Sequence, residues 1–155
     1  RSIVGSGAGA LNDLVVMPDD WPGAGPLGGI ATALRCSLAD WNLILACDLP
    51  YLTQDWLAHL IERGASSTAE ALIPMNDRGA EPLCAMYHRR AAVPLRAALE
   101  RGTRKVTEGL AGLRVERLER AEWKAFDSHG KLFKNMNSPA DYEEARADFS
   151  GRGEK

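Results

Sequence analysis

Apolar residues in this chain fall into two kinds of segment that alternate from one end to the other. Short apolar runs read as strands at 2–4, 14–17, 43–47, 71–74 and 83–87. Segments with helical spacing lie between them. From 27 to 38 the apolar positions Leu27, Ile30, Ala31, Leu34 and Leu38 make one stripe. From Thr53 to Arg63 the stripe is Trp56, Leu57, Leu60 and Ile61, with Thr53 as cap, Asp55 in the first turn and Gly64 as the stop. Further helices are predicted over 91–101, over 105–110 and from Ser138 onward, where Pro139 and Asp141 suit a helix start. Residues 114–118 alternate like a half-exposed strand, and 132–135 read as a last short strand.

Strands alternating with helices predict an α/β domain, a mostly parallel sheet covered by helices. The polar turn Asn76-Asp77-Arg78-Gly79 joins two strands as a hairpin, so an antiparallel edge is expected. Residues 5–12 form a Gly/Ala/Ser loop, and 21–26 are too rich in Gly and Pro for a helix. No second domain is visible: 1–149 reads as one domain and 150–155 as a disordered tail. The chain opens with Arg1-Ser2-Ile3-Val4-Gly5, without Met and as if inside a strand, so it is expected to be a fragment.

Candidate chemistry sits where strands end. The run Leu43–Cys47 terminates in Asp48, followed by Leu49-Pro50. A continuous run of this kind reads as a strand buried on both faces. Ligands of open α/β sheets collect at the carboxyl ends of strands. A carboxylate there is costly to bury without a partner, and Mg²⁺ with phosphate oxygens as its other ligands supplies one. The plain alternative is a carboxylate capping the next turn. Asp19, beside Asp20, ends the preceding strand and reaches the same rim if the two strands are parallel; otherwise it marks an ordinary turn. Gly28 and Gly29 open a helix whose free N–H groups favour anions, or else they allow tight helix packing. Asn135 and Asn137 alternate on an extended segment and can face one side, as cation or carboxylate contacts or as turn formers.

Composition narrows the field. A net charge of −2 gives no general attraction for nucleic acid or an anionic membrane. The small basic clusters Arg89-Arg90 and Arg104-Lys105 suit a phosphorylated small molecule better. Cys36, Cys47 and Cys84 are widely spaced, odd in number and expected in the core, which fits a reducing cytoplasm. No apolar stretch approaches the roughly 18 residues of a membrane helix. His59 and His129 are expected at the surface, and His88 is either another surface residue or a phosphate contact.

Four motifs in order resemble the molybdenum cofactor guanylyltransferases, within the wider molybdopterin-related nucleotidyltransferases. They are Gly25-Pro26-Leu27-Gly28-Gly29-Ile30, Ala46-Cys47-Asp48-Leu49-Pro50-Tyr51-Leu52, Glu81-Pro82-Leu83-Cys84-Ala85-Met86-Tyr87 and 132–142. The resemblance implies a Rossmann-like three-layer nucleotidyltransferase fold and transfer of GMP from GTP to molybdenum-bound molybdopterin, with release of pyrophosphate. It implies Mg²⁺ on Asp48, which also lies against the nucleotide. It places Asp19, Gly28 and Gly29 on the GTP side. Asn135 and Asn137, with Arg78, Arg104 and Lys105, fall on the acceptor side. Molybdoenzymes or other cofactor-biosynthesis proteins are implied as partners.

The family's opening glycine-rich loop and lysine have no counterpart here, so an N-terminal βα unit is expected to be missing and this fragment alone to be inactive. Gly5 and Ser6 stand where the family often has a polar nucleotide contact. The rival activities are cytidylyl or other nucleotidyl transfer to a phosphorylated acceptor. A non-catalytic module that binds molybdopterin or a partner is the rival from another class.

Overall fold

The computed structural model describes residues 2–4 and 15–150, with side chains from 16 onward. The expected loop at 5–12, including Gly5 and Ser6, and the tail at 151–155 lie outside these residues. The strands are β1 (Ser2–Val4), β2 (Val15–Met17), β3 (Trp41–Leu45), β4 (Ala71–Asn76), β5 (Gly79–Ala80), β6 (Cys84–His88) and β7 (Val115–Leu118). The helices are α1 (Pro26–Cys36), α2 (Gln54–Ser66), α3 (Ala92–Glu100), α4 (Val106–Gly109), α5 (Arg120–Trp123) and α6 (Pro139–Ser150). None of the described helices is long and apolar enough to cross a membrane.

β1 and β2 pair in parallel as a ladder of their own. In the larger sheet β6 lies between β3 and β4 and runs antiparallel to both, while β7 pairs in parallel with β4. Thus β3, β4 and β7 share one direction. The expected antiparallel strand is present, but it stands inside the sheet and not at its edge. The tight turn Asp77-Arg78 joins β4 to the short β5, which pairs with Met75 and Asn76, and β6 returns to pair with β4 only at Ala71 and Leu72.

Side chains alternate across this sheet, as the pleat requires. Ala71 and Ile73 of β4, with Ala85 and Tyr87 of β6, join Leu27, Ile30 and Leu34 of α1 and Leu95 and Leu99 of α3. Leu72, Cys84, Met86 and Leu118 face the other way, against Trp56 and Leu60 of α2, Trp123 of α5, and Leu132 and Phe133. Two cores separated by one sheet make three layers. Burial pushes the Cys84 thiol up to about 12, as befits a core residue. Cys47, in contrast to expectation, is exposed, and Cys36 is half-buried.

Several boundaries differ from the sequence reading, each for a packing reason. β3 begins at Trp41, whose ring meets His88 edge-on, and ends at Leu45, before the apolar run does. It is not sealed on both faces, since Leu45 is 42% exposed. α2 runs through Gly64 to Ser66. A Cβ at Gly64 would lie 3.0 Å from Met86 Cε, so this glycine serves close helix–sheet packing and does not stop the helix. Ile61 is exposed, whereas Trp56 and Leu60 are fully buried. α1 stops at Cys36, which leaves Leu38 95% exposed.

No strand forms over 132–135; Leu132 and Phe133 enter the core from a turn. α5 was not foreseen. It brings the Trp123 indole N–H to the carbonyl of Met75, 2.8 Å away. His59 is not a free surface group: it stacks on Trp56 and meets Glu122 at 3.1 Å. His88 accepts a hydrogen bond from the Arg90 N–H through Nδ1, and burial holds its pKa below the ordinary value.

Truncating Leu60 to Ala removes a fully buried side chain from the α2 core. The expected loss is about 2–5 kcal/mol of unfolding free energy. Val93, 76% exposed on α3, is the control. Val93→Ser is expected to stay within about 0.5 kcal/mol. Urea unfolding of both variants checks the contrast.

Candidate functional site

The site is assembled at the end of β3. The β3–β6 ladder continues one step past Leu45, where the Ala46 N–H donates to the Leu83 carbonyl at 2.7 Å. The chain then leaves the sheet through Cys47 and Asp48. On the other side the Met136 N–H donates to the Asp48 carbonyl, also at short range (2.8 Å). Buried Leu49 and Tyr51 anchor the turn that follows. Tyr51 donates its hydroxyl proton to Asp148 of α6 at 2.9 Å. The backbone at Asp48 is therefore held from both sides, by β6 and by the loop that carries Asn135 and Asn137.

The Asp48 side chain is left open by this arrangement. Its Oδ1 is buried and has no hydrogen-bond partner among the described residues. A buried carboxylate oxygen without a donor costs several kcal/mol at the order-of-magnitude level unless a ligand meets it. No group of three or more His, Cys, Asp or Glu side chains gathers for a metal among the described residues. An oxygen ligand from Asp48 with few protein partners fits Mg²⁺, which keeps waters and takes phosphate oxygens for its remaining positions.

Asp48 lines one cleft, and a second cleft opens at the loop that carries Asn135 and Asn137. One, of about 600 Å³, is lined by Asp48 and Cys47, by Leu43–Leu45 of β3 and by Gly29, Ile30 and Ala33 of α1. It is mainly apolar and open along β3. Gly29 has open space where a Cβ would stand, so a ligand can approach the α1 backbone there. Gly28 does not face the cleft. A Cβ on it would lie 3.0 Å from Trp21 Cβ and 3.1 Å from the Trp21 carbonyl oxygen, so it serves packing of the preceding loop. That loop turns at Gly23 and Gly25, both at positive φ (78° and 67°).

The second cleft, of about 310 Å³, is polar. Arg78, Glu81, Lys134, Asn135, Asn137 and Asp141 line it. The alternation of Asn135 and Asn137 does place both on one side. Arg78 uses one N–H on the Phe133 carbonyl at 3.2 Å. Lys134 is paired with Glu144 of α6. Asp141 forms a reciprocal cap with Ser138: the Ser138 hydroxyl (2.7 Å) and the N–H groups of Ser138 and Asn137 all donate to it. The Asp141 N–H donates back to the Ser138 hydroxyl oxygen (3.2 Å).

Other residues singled out in the sequence lie elsewhere. Asp19 accepts hydrogen bonds from the Trp21 N–H and the Thr32 hydroxyl, at 2.9 and 3.0 Å. It ties the end of β2 to α1 and does not line either cleft. Arg104 donates to the carbonyls of Leu99 and Thr103 at the end of α3, and Lys105 pairs with Glu108. Neither reaches the cleft of Asn135 and Asn137. Glu81 lines the polar cleft as well, and its sequence signal is a lone carboxylate between a hairpin and an apolar strand.

A strand-end carboxylate with an unmet buried oxygen, beside an open apolar cleft in a three-layer α/β domain, stands where ligands of such folds collect. Residues 4–118 match the model of the MobA-like NTP transferase domain. A "probable molybdenum cofactor guanylyltransferase" of Methanothermobacter thermautotrophicus is 36% identical over 142 residues, which cover 88% of this chain and 70% of the relative. One of the same name from Bacillus cereus is 30% identical over 84% of this chain and 63% of the relative. The crystal structure of molybdopterin-guanine dinucleotide biosynthesis protein A from Archaeoglobus fulgidus superimposes with a TM-score of 0.77 at 32% identity, over 88% of this chain and 69% of that one. The chain belongs to the MobA-like NTP transferase domain family. It spans between 63% and 70% of the length of these relatives.

The Asp141 cap carries a pH signature. Hydrogen bonds from the Ser138 hydroxyl and then from the Asn137 N–H hold its carboxyl below the ordinary value. A depressed carboxylate contributes stability above its unfolded pKa, about 3.9, and loses it as pH falls through the folded value. The 137–141 turn is expected to stay closed at pH 5 and to open only below about pH 4. Amide shifts of Asn137 and Ser138 in an NMR titration report this, and Asp141→Asn should flatten their response.

Proposed function

We propose that this domain transfers GMP from GTP to the terminal phosphate of molybdopterin, in its molybdenum-bound form, and releases pyrophosphate. The observation that carries this reading is the buried Oδ1 of Asp48, without a partner among the described residues, on the wall of the apolar cleft. The names of the relatives supply the identity of the substrates, and the site supplies places for them. The apolar cleft along β3 and α1 receives the nucleotide. Gly29 leaves room beside the helix backbone, and Ile30, Ala33 and Ile44 offer apolar surface to a base.

The polar cleft receives the acceptor. Asn135 and Asn137 offer amide N–H donors and carbonyl acceptors, and Arg78 offers the guanidinium groups it does not use on Phe133. Asp48 would hold Mg²⁺, which would supply charge neutralisation at the reacting phosphates. An oxygen of the acceptor phosphate attacks the α-phosphorus of GTP, a P–O bond forms, and the bond to the pyrophosphate oxygen breaks in line. The protein contributes positioning and electrostatics and forms no covalent intermediate. Asp19, Arg104 and Lys105 are given no direct part in this scheme, because none of them lines either cleft.

Asp48→Asn keeps the shape of the side chain and removes its charge. In protein that also carries the family's opening glycine-rich loop, supplied with GTP, Mg²⁺ and molybdopterin, GMP transfer is expected to fall at least about 100-fold, the scale for loss of one electrostatic contact to the reacting phosphates. Mn²⁺ binding followed by electron paramagnetic resonance should weaken in parallel. Near-normal turnover together with unchanged Mn²⁺ affinity would exclude the role.

A further inference from the structure

We propose that Glu81 reads the acceptor: its carboxylate takes the paired N–H donors of an aminopyrimidinone ring edge, the edge that a pterin carries. This deepens the functional reading above and rests on it. Glu81 stands on the wall of the polar cleft with Arg78, Asn135 and Asn137. Its backbone is fixed, since its N–H donates to the Pro74 carbonyl at 2.8 Å and its carbonyl accepts from the Cys84 N–H at 3.2 Å. Its Oε1 accepts from the Asn76 side-chain amide. Oε2 has no donor among the described residues, and no ion pair with a Lys or Arg forms there.

The charge balance of the cleft makes this carboxylate informative. Lys134 is already matched by Glu144, and Asp141 by three donors of its own cap. Arg78 is the cation with unused donors, and the two asparagines are neutral. Arg78 offsets part of the Glu81 charge, and a cleft built solely for phosphate gains nothing from a half-buried carboxylate placed beside its cation. Burial and the nearby Asp48 both push the Glu81 carboxyl above its ordinary value. The native state tolerates this group, so a ligand that brings N–H donors is its natural complement. A carboxylate has lone pairs on both oxygens and accepts two parallel N–H bonds in one plane. The ring edge of a pterin presents an amino group beside a ring N–H in that geometry. Phosphate toward Arg78 and the asparagines, and ring edge toward Glu81, gives the acceptor one orientation.

This makes Glu81 a specificity residue for the acceptor, distinct from the metal ligand Asp48. The test uses wild-type protein, Glu81→Gln and Glu81→Asp. Binding of molybdopterin is followed by pterin fluorescence without GTP or metal. Two further probes, 6-hydroxymethylpterin and its 2-oxo counterpart, differ only at the ring edge. Wild type is expected to prefer the 2-amino ring, and Glu81→Gln to lose that preference and to bind molybdopterin at least about tenfold more weakly, because a site built for hydrogen-bonded N–H groups rejects a mismatch strongly. GTP and Mn²⁺ affinities should stay within twofold. Glu81→Asp keeps the charge and should retain part of the preference.

Equal discrimination by wild type and Glu81→Gln overturns the assignment while leaving the guanylyltransferase reading intact. Weakened Mn²⁺ binding in Glu81→Gln overturns it in favour of a metal-ligand role. Wild-type protein that binds GTP with Mn²⁺ and no pterin overturns both readings together.

Discussion

A single carboxylate oxygen, buried and unmet, sets the terms for the functional end of this domain. Asp48 Oδ1 is unfavourable in the free protein, since desolvating an ionised oxygen without a donor opposes folding. The surrounding structure bears that cost by fixing the backbone on both sides of the residue. The Ala46–Leu83 and Asp48–Met136 hydrogen bonds make the strand end a rigid mount. Were the turn free to relax, the side chain would rotate into water and the strain would vanish with the site. The two cores below hold the mount in place, because β6 contributes alternate residues to each.

The placement of β6 has a second consequence. An antiparallel strand between two parallel ones brings the 76–84 excursion back over the carboxyl ends of β3 and β4. Arg78 and Glu81 ride on that excursion and so overhang the same rim as Asp48. On the opposite side, Leu132 and Phe133 plug into the α2 core and carry Asn135 and Asn137 to the rim. α6 secures that loop from outside, through Lys131 with Glu144 and Asp148 and through Lys134 with Glu144. These ion pairs are half-exposed, so solvent screening leaves their value in orienting the loop more than in bulk stability.

Much of this was legible in the sequence because it depends on periodicity. The stripe of Trp56 and Leu60, the Thr53 cap and the Ser138–Pro139–Asp141 start all appear as read. The Asp48 rim and the Asn135/Asn137 pair were legible too, as chemistry placed where an apolar run stops. The misses share one cause: a local pattern does not say what lies across the gap. Gly64 looks like a helix stop until Met86 is seen against it. Gly28 and Gly29 are adjacent and identical in kind, yet one faces Trp21 and the other the cleft. Asp19 has the same strand-end position as Asp48, but Thr32 from α1 reaches it first. Leu132 and Phe133 have strand composition, and the core takes them from a turn.

The contrast between Asp19 and Asp48 shows how differently this fold treats two strand-end carboxylates. Both follow a short apolar strand, and both lie near α1 or its cleft. Asp19 meets an N–H and a hydroxyl within its own neighbourhood, so its charge is consumed in joining two elements. Asp48 finds its backbone engaged and its side chain unanswered. Glu81 stands between these cases, with one oxygen answered by Asn76 and the other open. The two carboxylates therefore sit in different electrostatic settings: Asp48 has a buried oxygen with no donor among the described residues, whereas Glu81 has the Asn76 amide and the charge of Arg78 beside it.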